Sequence, residues 1–187
     1  MKTYKLDDYS GFSSIREKVL DWNLETLNGT GYSRNGHENF AFFEVKIIKS
    51  DTKESNMLWK VNPELFPSKL FEESEKYILR SSNLFLNYIK IIKGENINLN
   101  IEIINALYSP VDRFYRASFQ AMNKALINCF DNELSESLKL KFYQNINYVE
   151  LKKRVKEENE HEKRYEEERI IKLKREREII RQYYEIN

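Results

Sequence analysis

Alternation of apolar and polar positions is cleanest between Ile97 and Ile103, where Ile97, Leu99, Ile101 and Ile103 are separated by polar residues. A period of two predicts a strand there. Phe40 to Ile48 is rich in aromatic and β-branched residues and reads as a second strand, with Phe43, Val45 and Ile47 sharing a face. Met57 to Val61 makes a short third one, closed by Asn62-Pro63. Elsewhere the period is helical. Ser14 with Glu17 forms a capping box, and Ile15, Val19, Trp22 and Leu27 give the helix an apolar side that Asn28-Gly29 ends. Residues 29 to 39 read as turn-forming, with Asn35-Gly36 suited to a tight hairpin. Ser50 to Ser55 is a polar loop.

Ser68 to Ser82 places Leu70, Phe71, Ser74, Tyr77 and Ile78 on one side of a helix. The stretch from 83 to 93 fits two patterns. Leu84, Phe85, Ile91 and Ile92 continue the helix, while Leu84, Leu86, Tyr88 and Lys90 alternate as a strand. The helix, fraying before Gly94-Glu95-Asn96, is the preferred reading. Ser109-Pro110 marks a turn and a helix start. Phe114, Ala117, Ala121, Ala125 and Phe130 then line a face of small residues that allows close approach to a sheet or another helix.

From Asn132 onward there is neither glycine nor proline. Leu134, Leu138, Phe142, Ile146 and Val149 supply a stripe expected to dock on the body. Between Val155 and Tyr165 the stripe gives way to charge. Glu150→Arg154, Glu160→Arg164 and Glu168→Lys172 are i,i+4 pairs in the favourable orientation, each contributing ~0.2–0.5 kcal/mol. The expectation is an α+β domain over 1–131 with split β-α-β topology, followed by a long C-terminal helix over 132–187, docked at first and then solvent-exposed. Its end, carrying Ile170, Ile171, Leu173, Ile179, Ile180, Tyr183 and Tyr184, is too apolar to stay bare.

Composition changes this picture little, and charge changes it more. The chain has 187 residues, 41% hydrophobic and 33% charged, with 31 basic against 30 acidic residues. Near-neutrality removes a global electrostatic case for nucleic acid or membrane, though not a local one. The last 38 residues hold 12 basic and 11 acidic residues, leaving 19 of each before them. A single cysteine, Cys129, rules out an intrachain disulfide framework, and two histidines make a metal site unexpected. No stretch approaches the ~20 apolar residues of a membrane span, and the N-terminus lacks a secretory pattern. The chain reads as soluble and cytoplasmic, with no cofactor, no metal and no membrane partner.

The order strand, strand, helix, strand, small-residue helix over residues 29 to 130 resembles domain IV of elongation factor G and of the tetracycline ribosomal protection proteins. Gly31-Tyr32-Ser33-Arg34-Asn35-Gly36-His37 with the strand after it looks like that family's glycine-rich loop and second strand. Leu65-Phe66-Pro67 looks like the entry to its first helix, Asn98 to Leu107 with Tyr108-Ser109-Pro110-Val111 like its fourth strand and tip, and Phe114 to Ala125 like its alanine-rich second helix. The segment from Asn83 to Asn96 is longer and more apolar than the family's connection, and the tip is shorter and lacks the histidine of elongation factor G. No GxxxxGK[ST] loop is present, so GTP hydrolysis is excluded within this chain. The resemblance implies a split β-α-β fold with a left-handed crossover and a capacity to touch ribosomal RNA.

Candidate chemistry is sparse. His37 beside Glu38 reads as a loop histidine, Cys129 as a core residue and Glu160-His161-Glu162 as a solvated helix face. Tyr32, Arg34 and His37 in the first loop, with Tyr108, Arg113 and Arg116 near the tip, converge at one end of the sheet if the topology allows. Arginines there would meet phosphates, and tyrosines would stack on unpaired bases. The competing reading makes the tyrosines partly core and pairs the arginines with surface acids. No acid, base and nucleophile stand together, so the expectation is a non-enzymatic binding protein for RNA or the ribosome. The alternative is a protein-interaction module, pairing with itself or a partner through Ile170, Leu173, Ile179, Ile180 and Tyr183.

Overall fold

The computed structural model describes residues 11–35, 39–62, 68–93, 97–108, 115–145 and 148–185. A 3-10 turn, Phe12–Ile15, leads into α1 (Arg16–Asp21). Then follow β1 (Leu27–Asn35), β2 (Asn39–Lys49), β3 (Asn56–Trp59), α2 (Ser68–Lys93), β4 (Leu99–Tyr108), α3 (Tyr115–Asn128), α4 (Asn132–Asn145) and α5 (Tyr148–Glu185). The architecture is α+β: one mixed sheet of order β1-β2-β4-β3, with β3 and β4 parallel and the other pairs antiparallel. The chain divides into two compact units, Met1–Ile146 and Asn147–Asn187, so α4 groups with the sheet.

Two expectations change, and the preferred helical reading of 83–93 holds. Residues 27–35 form a strand, not a turn, paired with β2 from Leu27↔Ile47 to Asn35↔Asn39. Its glycines misled because they serve packing: a Cβ on Gly29 or Gly31 would overlap the backbone of α3 at Ala125 or Ala121. The sheet is also not split. β3 and β4 are direct neighbours joined through α2, with Met57 opposite Ile101 and Trp59 opposite Ile103. Residues 83–93 belong to α2, one helix of 26 residues, whose buried stripe is Ile78, Ser82, Phe85 and Ile89.

One face of the sheet makes the core. Ala41, Phe43, Val45 and Ile47 of β2 and Leu99, Ile101, Ile103 and Ala106 of β4 lie there, fully or almost fully buried. An irregularity in the β2–β4 register between Glu44 and Val45 leaves Ile104 without a ladder partner and exposed. Phe12 stands edge-on to Phe85 at 5.4 Å, and Trp22 to Phe130 at 5.5 Å, which ties the N-terminal turn, α1 and α2 into the same core. Between α2 and α3 the Ser81 hydroxyl donates to Asn123 Oδ1, so both buried side chains are satisfied.

α3 lies antiparallel along β1 in two rows of period four. Ala117, Ala121 and Ala125 are buried and bring the helix backbone onto the strand. Beside them Gln120 accepts from Ser33 Oγ at 2.9 Å, Lys124 donates to the Tyr32 carbonyl at 3.1 Å, and Asn128 donates to the Thr30 carbonyl at 2.8 Å. From Asn128 to Lys124 four helix residues rise ~6 Å while Thr30 to Tyr32 spans ~6.8 Å, so these two contacts stay in step, and Gln120 then meets the Ser33 side chain. The polar row also satisfies carbonyls of an edge strand, which removes pairing positions from that edge.

Gly31→Ala is therefore expected to destabilise the protein by ~3 kcal/mol or more, since backbone rather than a movable side chain occupies the Cβ position. Chemical denaturation of wild type and variant measures the loss, and a cost below ~1 kcal/mol would contradict this packing.

Candidate nucleic-acid interface

The strand register decides which candidate residues come together. β1 ends at Asn35 where β2 begins at Asn39, and β4 ends with Tyr108 opposite Ala41. Because α3 runs antiparallel to β1, with Asn128 at Thr30 and Gln120 at Ser33, its first turn lies at this same end. Arg34, opposite Phe40 and exposed, and Arg116, the second residue of α3 and exposed, thus share one end of the sheet with the Tyr108 backbone. His37 and Arg113 lie outside the described residues, as does the side chain of Tyr108.

Tyr32 is placed otherwise. It lies on the face opposite the core, half-buried, with its ring 5.8 Å from Phe142 and 6.3 Å from Phe40. Phe142 of α4 also stacks on Phe42, centroids 3.7 Å apart and planes within 8°. The ring of Tyr32 thus belongs to an aromatic cluster that holds α4 against β1 and β2. Of the stripe expected to dock this segment, Phe142 is buried while Leu134 is exposed. Ile146 and the side chain of Val149 lie outside the described residues.

The same seam contains a polar group that sequence reasoning passed over. The Glu44 carboxylate accepts from Tyr143 OH and from Asn105 Nδ2 at 3.4 Å, and pairs with Lys139 at 2.9 Å. Asn105 also donates to Tyr143 OH at 2.6 Å. The signal was a lone carboxylate between Phe43 and Val45 in an otherwise apolar strand. The hydrogen bond to Glu44 holds the Lys139 ammonium above the ordinary lysine range; burial opposes this, and the charges of Glu44 and Glu136 add to it. A second carboxylate on this face, Glu102, is buried with Lys60 as its partner. The Glu44 groups are paired with one another and join α4 to the sheet.

Cys129 is buried at the end of α3, its Sγ 2.6 Å from where a Gly29 Cβ would stand, and burial pushes its thiol well up. That suits a packing residue, not a nucleophile. Among the described residues no three His, Cys, Asp or Glu side chains are grouped to hold a metal, and no helix is long and apolar enough to cross a membrane. In α5, Ile170, Ile171 and Leu173 are 44%, 51% and 47% exposed. Ile179, Ile180 and Tyr183 continue the helix backbone, with side chains outside the described residues.

Two measurements check this geometry. Cys129 is expected to resist alkylation at neutral pH until the protein unfolds; rapid native labelling would contradict its burial. Glu44→Gln is expected to cost about 1–3 kcal/mol near pH 7. A lysine with a raised folded-state value contributes stability below its ordinary range and loses it as pH rises through the raised value, so the part of the gap that the Lys139 pair supplies should be present at neutral pH and be lost in strong alkali. Denaturation curves across pH read both effects.

No protein-family model matches the chain, and no curated protein matches it either. Among solved structures the chain is similar to the crystal structure of ttk003000868 from Thermus thermophilus, at 17% identity and a TM-score of 0.39. That similarity covers 56% of this chain and 15% of the other's length.

Proposed function

We propose that this chain is a non-enzymatic cytoplasmic protein that binds RNA, with ribosomal RNA the first candidate, through the end of its sheet where β1 and β4 end, β2 begins and α3 starts. The observation that carries the reading is the register that brings exposed Arg34 and Arg116 to that one end. The ordered resemblance over residues 29 to 130 supports the same surface. The ring of Tyr32 is engaged with Phe40 and Phe142, so the reading places its weight on Arg34 and Arg116 meeting phosphates. With 31 basic and 30 acidic residues overall, such binding is local, modest in affinity and salt-sensitive.

Ribosome pelleting and filter binding with single-stranded RNA at several salt concentrations test this. Binding should fall as salt rises, and an Arg34→Ala/Arg116→Ala double variant should lower the slope of log K against log salt by ~1.4, about 0.7 for each phosphate that an arginine no longer neutralises. Binding that is absent, or unaffected by both substitutions, contradicts the proposal.

A second reading is favoured by α5. Three neighbouring aliphatic residues half-exposed on a charged helix suit a protein partner or a second copy of the chain.

A further inference from the structure

α5 carries its charge in two blocks. Between residues 157 and 168 there are seven acidic and two basic residues, and between 169 and 181 six basic and two acidic. Every side chain described from 163 to 178 is exposed, including Tyr165 at 64%. Within the helix the ion pairs found are short-range, Lys153 with Glu157 at 3.8 Å and Arg169 with Glu166 at 3.4 Å, and they do not bridge the blocks end to end. The helix dipole does not account for the segregation. Its influence is confined to the first and last turns, whereas the block boundary lies mid-helix.

We propose that α5 pairs antiparallel with α5 of a second copy of this chain, centred on the block boundary at residues 168 and 169. This rests on the reading of α5 as an interaction element and adds its partner, direction and register. Two blocks spanning ~37 Å face each other only in that arrangement: the acidic block of each copy lies along the basic block of the other. A parallel pair in register would set seven acids against seven acids. The antiparallel overlap also brings Ile170, Ile171 and Leu173 of both copies beside the centre, next to Tyr165 of the opposite copy. Half-exposed aliphatic surface is thereby covered on both sides of the axis. Charges set direction and specificity, and the central aliphatic group supplies apolar contact.

Sedimentation of the full-length protein tests the idea with two reversal variants, Glu160→Lys/Glu168→Lys and Arg169→Glu/Arg177→Glu, all at exposed positions and facing one another across the proposed axis, 160 with 177 and 168 with 169. Wild type is expected to dimerise with an affinity that falls as salt rises. Each variant alone should associate roughly tenfold or more weakly, and an equimolar mixture of the two should recover dimer. Helical content by circular dichroism separates lost pairing from lost folding. Mixing His161→Cys with Glu176→Cys protein then reads direction: antiparallel pairing gives the mixed disulfide between the two. A homodisulfide of His161→Cys chains, or a dimer indifferent to charge reversal, overturns the antiparallel pairing while leaving self-association standing. A full-length wild type that stays monomeric throughout the micromolar range overturns both.

Discussion

Contact between the backbone of α3 and a strand without Cβ atoms at two positions is the constraint that most of the first unit depends on. Gly29 and Gly31 leave room for the Ala121 and Ala125 peptide groups, which no larger residue would. Ala117, Ala121 and Ala125 keep the helix side of the seam equally thin. Hydrogen bonds from Lys124 and Asn128 to the Tyr32 and Thr30 carbonyls then fix the axial position and give the edge strand partners it would otherwise seek elsewhere. Sterics set the depth of the packing, and polar groups set its register.

The candidate interface is a consequence of that register. α3 runs back along β1, so its start meets the end of β1, and the pairing of β1, β2 and β4 brings the remaining chain ends to the same place. On the opposite face, α4 is held by the stacked Phe42 and Phe142 rings and by the Glu44 network. That covering engages the ring of Tyr32, while Arg34 and Arg116 are the exposed basic side chains described at the sheet end.

Much of this was legible in the residues, and what was not has physical reasons. Leu99, Ile101 and Ile103 alternate because one side of β4 is core and the other is not. The small face of α3 announced a close approach, although its partner could not be named. β1 was hidden because glycine has two uses, turning a chain and thinning it, and local sequence does not tell them apart. The path of 83–93 was ambiguous because Leu84, Phe85, Ile91 and Ile92 continue the helical period while Leu84, Leu86, Tyr88 and Lys90 alternate, and packing of Phe85 and Ile89 against the core decides it. Leu134 was expected on the docked stripe, but α4 meets the sheet through Phe142 and Tyr143 near its other end. Glu44 gave a weak signal, since one carboxylate in a strand ordinarily marks the wet face. Here three partners on β4 and α4 make its burial tolerable.

Near-neutral net charge conceals two separate arrangements, balanced charge in the body and opposed blocks in α5. Both functional readings follow from where charge is placed, and the first depends on α3 being seated as described. Nuclear Overhauser contacts on selectively labelled protein test that seating most directly. Strong contacts are predicted from the Gly29 and Gly31 α-protons to Ala125 and Ala121. Their absence in a sample that keeps the β1–β2 pairing contacts would contradict the seating.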